Sequence, residues 1–482
     1  MIKLIKNELF KIFHKLSTYI ILLIALIFVV ITNAIYCYYD ELNGSYIYYE
    51  DIDIDEVNNY INNYDPETDS LEDYAYNLAL LDVYNLSSRY DKSSWQYQAF
   101  MNNYLNLDIE YYIEMHQSES DSAKISSLNE EMLLVMQAIY NDDWKYFANE
   151  EKETLEASVA NYEALLETDN LSDSDRLEYN KMLYISREQL ELVNYQLDED
   201  IAFGDDYLNQ AILDIENNLY AMADYLYDGD INPDDYEDIV KEHYENEYIL
   251  EEKIDTKSSD TLRSVIMNFF TEYSFLIIVF VIMIAGSIVS DEFNKGTIKS
   301  LLTVPHERTS ILWSKYLTVL LTIPIIIIFL FLMELLVGGI FMGFDSLSIP
   351  AVIYNISTKS LEILNVFSYF LVNLLANLPQ IILLATLAFA CSVILNSTAF
   401  AITLTFCGMI ASEIINSFAY LYDIKILNYF VTTNWDMTVY LFGGHSIYGV
   451  TMGHSLLICL TYLVIMLIVA FVVFIRRDVK NI

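Results

Sequence analysis

Basic residues are scarce in this 482-residue chain. Its 25 Lys and Arg stand against 68 Asp and Glu, a formal net charge of −43. Phosphate contacts need a basic face, so the balance excludes a nucleic-acid binder. Cysteine is scarcer still. None of the four (Cys37, Cys391, Cys407, Cys459) falls between Tyr38 and Ser264, so no disulfide framework holds that stretch. The same stretch has three Gly (Gly44, Gly204, Gly229) and two Pro (Pro66, Pro233), too little punctuation for a strand-and-turn fold. The chain also lacks G-x-x-x-x-G-K-[ST], H-E-x-x-H and G-x-S-x-G. It therefore reads as no enzyme, with no P-loop ATP hydrolysis of its own.

What is abundant is apolar: 54% of residues are hydrophobic and 19% charged. The two kinds occupy different places. Between Tyr38 and Ser264 there are 12 Lys and Arg against 56 Asp and Glu, net −44 over 227 residues. The remainder holds 13 against 12, net +1. This pattern implies a membrane protein with a large acidic domain inserted into it.

A helix needs about 20 apolar residues to cross a bilayer core. Uncharged runs occur at Leu16 to Tyr39, Tyr273 to Ser290, Tyr316 to Met333, Ile363 to Ser412 and Ser455 to Ile475. The fourth is too long for one crossing, and Asn396-Ser397 near its middle marks a turn. Six spans follow, at 17–38, 265–290, 315–343, 363–395, 398–417 and 454–476. The first is too long for a signal-peptide core and lacks an A-x-A-like site, so it is expected to stay.

Lys and Arg in short loops orient the spans. The N-terminus has Lys3, Lys6, Lys11 and Lys15. The loop between spans two and three has Lys295, Lys299, Arg308 and Lys315, and the C-terminus Arg476, Arg477 and Lys480. The opposite short loops carry only Lys359 and Lys425. Both termini are expected in the cytoplasm, with residues 39–264 outside. Residues 1–16 form an amphipathic helix: Ile2, Ile5, Leu9, Ile12 and Leu16 face the acyl region, and Lys3, Lys6, Lys11 and Lys15 face lipid headgroups.

The acidic domain is expected to be helical hairpins. Leu128, Met132, Val135 and Ile139 share one helical face; so do Leu155, Val159, Tyr162 and Leu166, then Leu183, Leu190 and Leu197. Asn170-Leu-Ser-Asp-Ser reads as a turn and an N-cap. Its 28 Tyr are expected to supply much of the core. Asp51, Asp53 and Asp55 alternate, and Asp228, Asp230 and Asn232 match the opening of an EF-hand loop. Pro233 and Ile239 stand where that loop needs Gly and Glu, so no metal site is expected.

Membrane-embedded acids are functional candidates by default. Glu272, Glu334 and Glu413 lie near span ends, where they reach water or face a pathway. Gly339 and Gly343 form G-x-x-x-G, which favours close helix packing. Phe418 to Gly453 is aromatic and moderately apolar.

The stretch from Ser290 to Lys315 is the most informative. Gly296-Thr297 is placed to open a short helix through Leu301 and Leu302 that Pro305 stops, with Thr309 or Ser310 capping the third span. Glu292, Gly296, Thr297, Lys299, Leu301, Leu302, Pro305, Arg308 and Lys315 together resemble the loop of permease subunits of export-type (type 2) ABC transporters. The basic exit Phe474 to Lys480 and the amphipathic start are similar to that family too. The resemblance implies an all-α membrane fold of six spans in the bacterial cytoplasmic membrane, with Phe418 to Gly453 forming short helices that dip back into the outer leaflet. The 291–314 loop then acts as a coupling helix for a separate ABC ATPase subunit in two copies. ATP and magnesium are expected on that partner and no cofactor in this chain, with a second permease completing a homodimer or heterodimer. The acidic domain hints at a cationic peptide or amphiphile as substrate. The competing reading is a non-transporting sensor or immunity protein whose outer domain binds a ligand.

Overall fold

A computed structural model describes residues 1–43, 52–168, 171–204, 206–229, 233–297, 307–422, 424–446 and 449–477. The chain forms two compact units, Met1–Leu42 with Thr256–Ile482, and Asn43–Asp255. The first is the membrane unit and the second the inserted domain.

In chain order, the membrane unit begins with α1 (Ile2–Phe13) and α2 (Leu16–Asn43). The inserted domain contributes α3 (Ile54–Asn63), α4 (Leu71–Ser87), α5 (Trp95–Ala99), α6 (Leu105–His116), α7 (Ser122–Tyr140), α8 (Trp144–Leu166), α9 (Asp173–Asp198), α10 (Tyr207–Ala223) and α11 (Pro233–Glu252). The membrane unit resumes with α12 (Leu262–Met267), α13 (Phe269–Ser287), α14 (Ser290–Asn294) and α15 (Arg308–Met342). A hairpin of β1 (Ala351–Asn355) and β2 (Ser360–Leu364) follows, then α16 (Val366–Leu395), α17 (Thr398–Tyr422) and α18 (Met452–Arg476).

Among the described residues, six helices are long and apolar enough to cross a membrane: α2, α13, α15, α16, α17 and α18. Among their apolar windows, 56% of span two and 61% of span four is buried, against 22%, 18% and 17% of spans one, five and six. Spans two and four are therefore the centre, and the outer three leave wide apolar faces. Phe269, Tyr273, Ile277, Phe389 and Leu330 anchor the shared core. Spans four and five turn at Asn396, whose φ of 52° is left-handed, a conformation Asn tolerates well.

Some boundaries differ from the sequence reading. Span four starts at Val366, because Ile363 and Leu364 belong to β2 and the Asn365 side chain accepts from Ser368 N as the helix cap. Span three starts at Arg308 behind Glu307, whose extended backbone takes the capping position. Thr309 instead donates to Glu307 Oε2 at 3.3 Å and caps nothing. The Gly339/Gly343 pair is no helix-packing motif: a Cβ on Gly339 would strike the Phe344 ring, and Gly343 ends the helix at φ +78°. The Phe418–Gly453 segment places Trp435 and Met437 inside the membrane unit's core, with buried Asn434 accepting from Ser455 Oγ at 2.8 Å.

The inserted domain is helical throughout its described residues. Acidic and Ser residues do local work there: Asp53, Ser70, Asp121, Ser172 and Asp206 each cap a helix through their side chains. Leu128, Met132, Val135 and Ile139 are buried together, as are Leu183, Ile185 and Val193 on α9; Leu155, Val159, Tyr162, Leu166, Leu190 and Leu197 are half-buried. Tyrosine forms the rim of this core and not its centre. Among the described residues of this domain, only Tyr97, Tyr104 and Tyr248 are buried. Several others donate their hydroxyls to acceptors, such as Tyr112 to Asp82 Oδ2 at 2.7 Å and Tyr195 to Leu250 O at 2.8 Å. Asp51, Asp230 and Asn232 lie outside the described residues. Asp53 is spent as a cap, and Asp228 pairs with Lys181. The described residues hold no cluster of three metal-ligating side chains.

Candidate functional site

Three segments far apart in sequence meet at one end of the membrane unit. They are α1, the residues after span two, and the start of span three. Lys315 stands at their junction with 1% of its side chain exposed. Its Nζ lies 2.8 Å from Glu292 Oε1, donates to Glu8 Oε2 at 3.0 Å, and to the Ile288 carbonyl at 3.1 Å. Lys11 bridges the same two acids, at 2.8 Å from Glu8 and 3.2 Å from Glu292. Lys15 adds a 2.7 Å pair with Asp291, which also accepts from Thr398 Oγ1 at 2.9 Å.

The local sequence explains the geometry. Ile5, Glu8 and Ile12 fall on one helical face, so the acid lies in the stripe that buries Ile12. A buried charge is costly unless paired and hydrogen-bonded. Here three acids meet three lysines. Burial pushes the Glu8 carboxyl up, but Lys315 and Lys11 outweigh it and hold Glu8 below its ordinary value. Burial likewise opposes the ionised Asp291, and the bonds from Lys15 and Thr398 hold it low. Lys11 is lowered by burial and raised more by Glu8 and Glu292. A cleft of about 490 Å³ opens beside the cluster, lined by Glu8, Lys11, Lys15, Asp291, Glu292 and Lys295.

The exit of span six joins the same end. Arg308 donates to the Ile475 and Arg477 carbonyls, both at 3.0 Å. Arg477 donates to the last carbonyls of α16, Val393 at 2.8 Å and Ile394 at 2.9 Å, and to the Asn396 side chain. A cation there satisfies orphan carbonyls at a helix C-terminus.

The structure thus brings Glu292 and Lys315 together but sends Arg308 elsewhere. Gly296 occupies a left-handed turn at φ +68°, and Thr297 donates to the Glu292 carbonyl at 3.4 Å. Lys299, Leu301, Leu302 and Pro305 lie outside the described residues, and with them the helix expected to open at Gly296-Thr297. Lys3 and Lys6 are exposed, as a headgroup-facing role requires. Lys11 and Lys15 are not free for headgroups, because Glu8, Glu292 and Asp291 claim them. Sequence reasoning missed Glu8, Asp291, Thr398 and Arg477. One signal was present: Glu8 is an acid on the apolar stripe of a basic helix.

Of the three membrane-embedded acids, Glu334 departs from the expectation. Glu334 is fully buried and meets no water. Tyr273 Oη donates to its Oε2 at 2.5 Å and Asn33 Nδ2 to its Oε1 at 2.9 Å, which locks spans one, two and three together. Gly338 makes room, since a Cβ there would stand 2.7 Å from Asn33 Oδ1 and 2.9 Å from Glu334 Oε1. Glu272 is half-buried and accepts from Tyr36 Oη at 3.1 Å. The Glu413 side chain lies outside the described positions.

The family described as "Protein of unknown function (DUF2705)" matches residues 236–480. The chain belongs to the DUF2705 family. This DUF2705 chain is 30% identical over 237 residues to the "Uncharacterized protein YhcI" of Bacillus subtilis (strain 168), covering 49% of this chain and 75% of that one. It is 26% identical over 200 residues to the "Uncharacterized membrane protein YdbK" of the same organism, covering 41% and 76%. No solved structure matches. The family region takes in the Glu292–Lys315 stretch and spans two to six, and leaves most of the inserted domain outside it.

Proposed function

We propose that this DUF2705 protein is the membrane-spanning permease subunit of an ABC exporter. A separate ATPase subunit, present in two copies and carrying ATP and magnesium, drives it. A second permease completes the pathway as a homodimer or heterodimer. Both termini and the 291–314 loop face the cytoplasm of a bacterial cell, and the inserted domain faces outside.

The observation that carries this reading is the buried Glu8–Lys315–Glu292 cluster. The stretch that resembles a coupling loop begins at Glu292 and ends at Lys315, and both ends are clamped to α1 and to spans two and three. A push on the residues between them is therefore delivered to the span bundle as a rigid-body movement, with no slack at either end. An ordinary connecting loop has no need of two buried ion pairs at its base, given what burying charge costs.

The test is co-purification with a nucleotide-binding subunit from the native membrane, followed by Leu301→Asp with Leu302→Asp. Those two leucines occupy the position the resemblance gives to the ATPase contact. The expected result is a complex whose ATPase activity loses substrate stimulation in the double variant, while membrane insertion is unchanged. Purification without any ATPase under mild conditions, or unchanged coupling in the variant, refutes the reading.

A further inference from the structure

The inserted domain contains a narrow cleft where α5, α8, α9 and α10 come together. Its volume is about 180 Å³. At ~30 Å³ per water this holds roughly six waters, the space of one long side chain and not of a peptide segment. Glu151 and Glu216 both line it, and no Lys, Arg or His does. Neither carboxylate has an ion-pair partner among the described residues, although Lys181, Arg187, Lys145 and Lys253 elsewhere in the domain are each paired. Burial and the neighbouring Glu151 charge push the Glu216 carboxyl up to about 7. Glu216 is half-buried and Glu151 exposed, so two carboxylates share one cleft with no base between them.

A second observation is independent of the acids. Gln196 lines the same cleft, is 3% exposed, and leaves its Nε2 without a hydrogen bond; Gln98 Nε2 is unpartnered on the facing side. Buried amides are nearly always satisfied, so an orphaned pair turned on one cavity calls for an occupant with a matching polar group. Rotating either amide presents its oxygen instead, which an ammonium group also uses. A wider cleft of about 420 Å³ adjoins, sharing Gln98, Glu151 and Phe203 and adding Trp95 and Phe147. Aromatic faces beside a paired acid site suit the alkyl stem of a cationic side chain.

We infer that this cleft is a binding site for the basic side chain of a peptide, lysine or arginine, with the ammonium or guanidinium between Glu151 and Glu216. The Gln98 and Gln196 side-chain oxygens, presented by rotating the amides, accept from the same ammonium or guanidinium. A bare divalent cation leaves the aromatic side of the cleft unused. The inference rests on the inserted domain alone and stands or falls separately from the exporter reading.

The test is titration of the full chain, in neutral-lipid nanodiscs, with trilysine amide, Nε-acetylated trilysine amide and calcium chloride. Trilysine amide is expected to bind at 0.15 M salt. Acetylation, Glu151→Gln with Glu216→Gln, and Gln196→Leu are each expected to weaken binding at least tenfold. Glu130→Gln with Glu178→Gln removes the same charge from exposed positions away from the cleft and is expected to change binding less than twofold. Thermal unfolding of each variant checks that it is folded. Equal loss in the cleft and control pairs shows diffuse attraction to an acidic surface and overturns the inference. So does calcium binding that the cleft variants abolish while trilysine amide does not bind.

Discussion

Lys315→Met tests the charged cluster most directly. The substitution keeps the side-chain length and removes one charge from a site 1% exposed. Glu8 and Glu292 then share Lys11 alone, which already lies 2.8 and 3.2 Å from them. One carboxylate is left buried and uncompensated, and breaking a buried pair in this way costs about 3–5 kcal/mol. The surplus is one anion, so removing one should restore much of the loss. Glu8→Gln with Lys315→Met leaves Glu292 paired with Lys11 and is expected to be more stable than Lys315→Met alone. The sign with pH follows too. Glu8 is held below its ordinary 4.5 in the intact protein, so its contribution is complete above that value and is lost as pH falls through the lowered one. In Lys315→Met the orphaned carboxylate takes up a proton more readily, and the penalty should be smaller at pH 5 than at pH 8. Unfolding in mixed detergent micelles, read at both pH values for wild type, both single variants and the double, closes the cycle. A double variant no more stable than Lys315→Met, or a Lys315→Met protein as stable as wild type, refutes the reasoning.

Burial and the Asp82 charge push the Asp108 carboxyl up to about 7 from 3.8. Its raised value means stability is complete below 3.8 and is lost as pH rises through about 7. Asp108→Asn should therefore stabilise the inserted domain at pH 8, by about 4 kcal/mol at most, and by far less at pH 5, read by tryptophan fluorescence during thermal unfolding. Gly338→Ala should cost about 1–3 kcal/mol in micelle unfolding, since its Cβ would stand 2.6 Å from Leu262 and 2.7 Å from Asn33 Oδ1. For orientation, Ser120→Cys and Lys3→Cys are placed on a background with Cys37 and Cys407 replaced. An impermeant maleimide should label the first in intact cells and the second only after lysis.

The six spans were legible because run length alone decides whether a helix crosses a bilayer. Asn396 was legible as a turn because few residues tolerate its φ. Helical faces such as Leu128–Ile139 followed from period. What stayed hidden depends on partners remote in sequence: Lys315 meets Glu8 across 307 positions, and Glu334 meets Asn33 across 301. No spacing rule reports such pairs. The Gly339/Gly343 motif misled for the opposite reason, because a local ring, Phe344, uses the space. Within the candidate site, Glu292 and Lys315 were picked out by resemblance, while Glu8 carried its own physical signal.

The two units solve the same electrostatic problem differently. The membrane unit has almost equal numbers of acids and bases and pairs them at the bundle end, where Lys11, Lys15 and Lys315 answer Glu8, Glu292 and Asp291, while buried Glu334 is held by Tyr273 and Asn33. Discounting those three lysines still leaves eight basic residues in the segments assigned to the cytoplasm, against Lys359 and Lys425 opposite, so the proposed orientation survives the pairing. The inserted domain, Asn43–Asp255, has 53 acids and 10 bases and cannot pair its way out. It spends acids on helix caps and tyrosine hydroxyls, and where an acid is buried or half-buried without a base, at Asp108 and Glu216, it binds a proton near pH 7 instead. A fall from pH 8 to pH 6 therefore loads protons onto the inserted domain while the charges at the bundle end, held by lysine, stay as they are. The pH response of the inserted domain should begin at the cleft that holds Glu216 and in the core that holds Asp108.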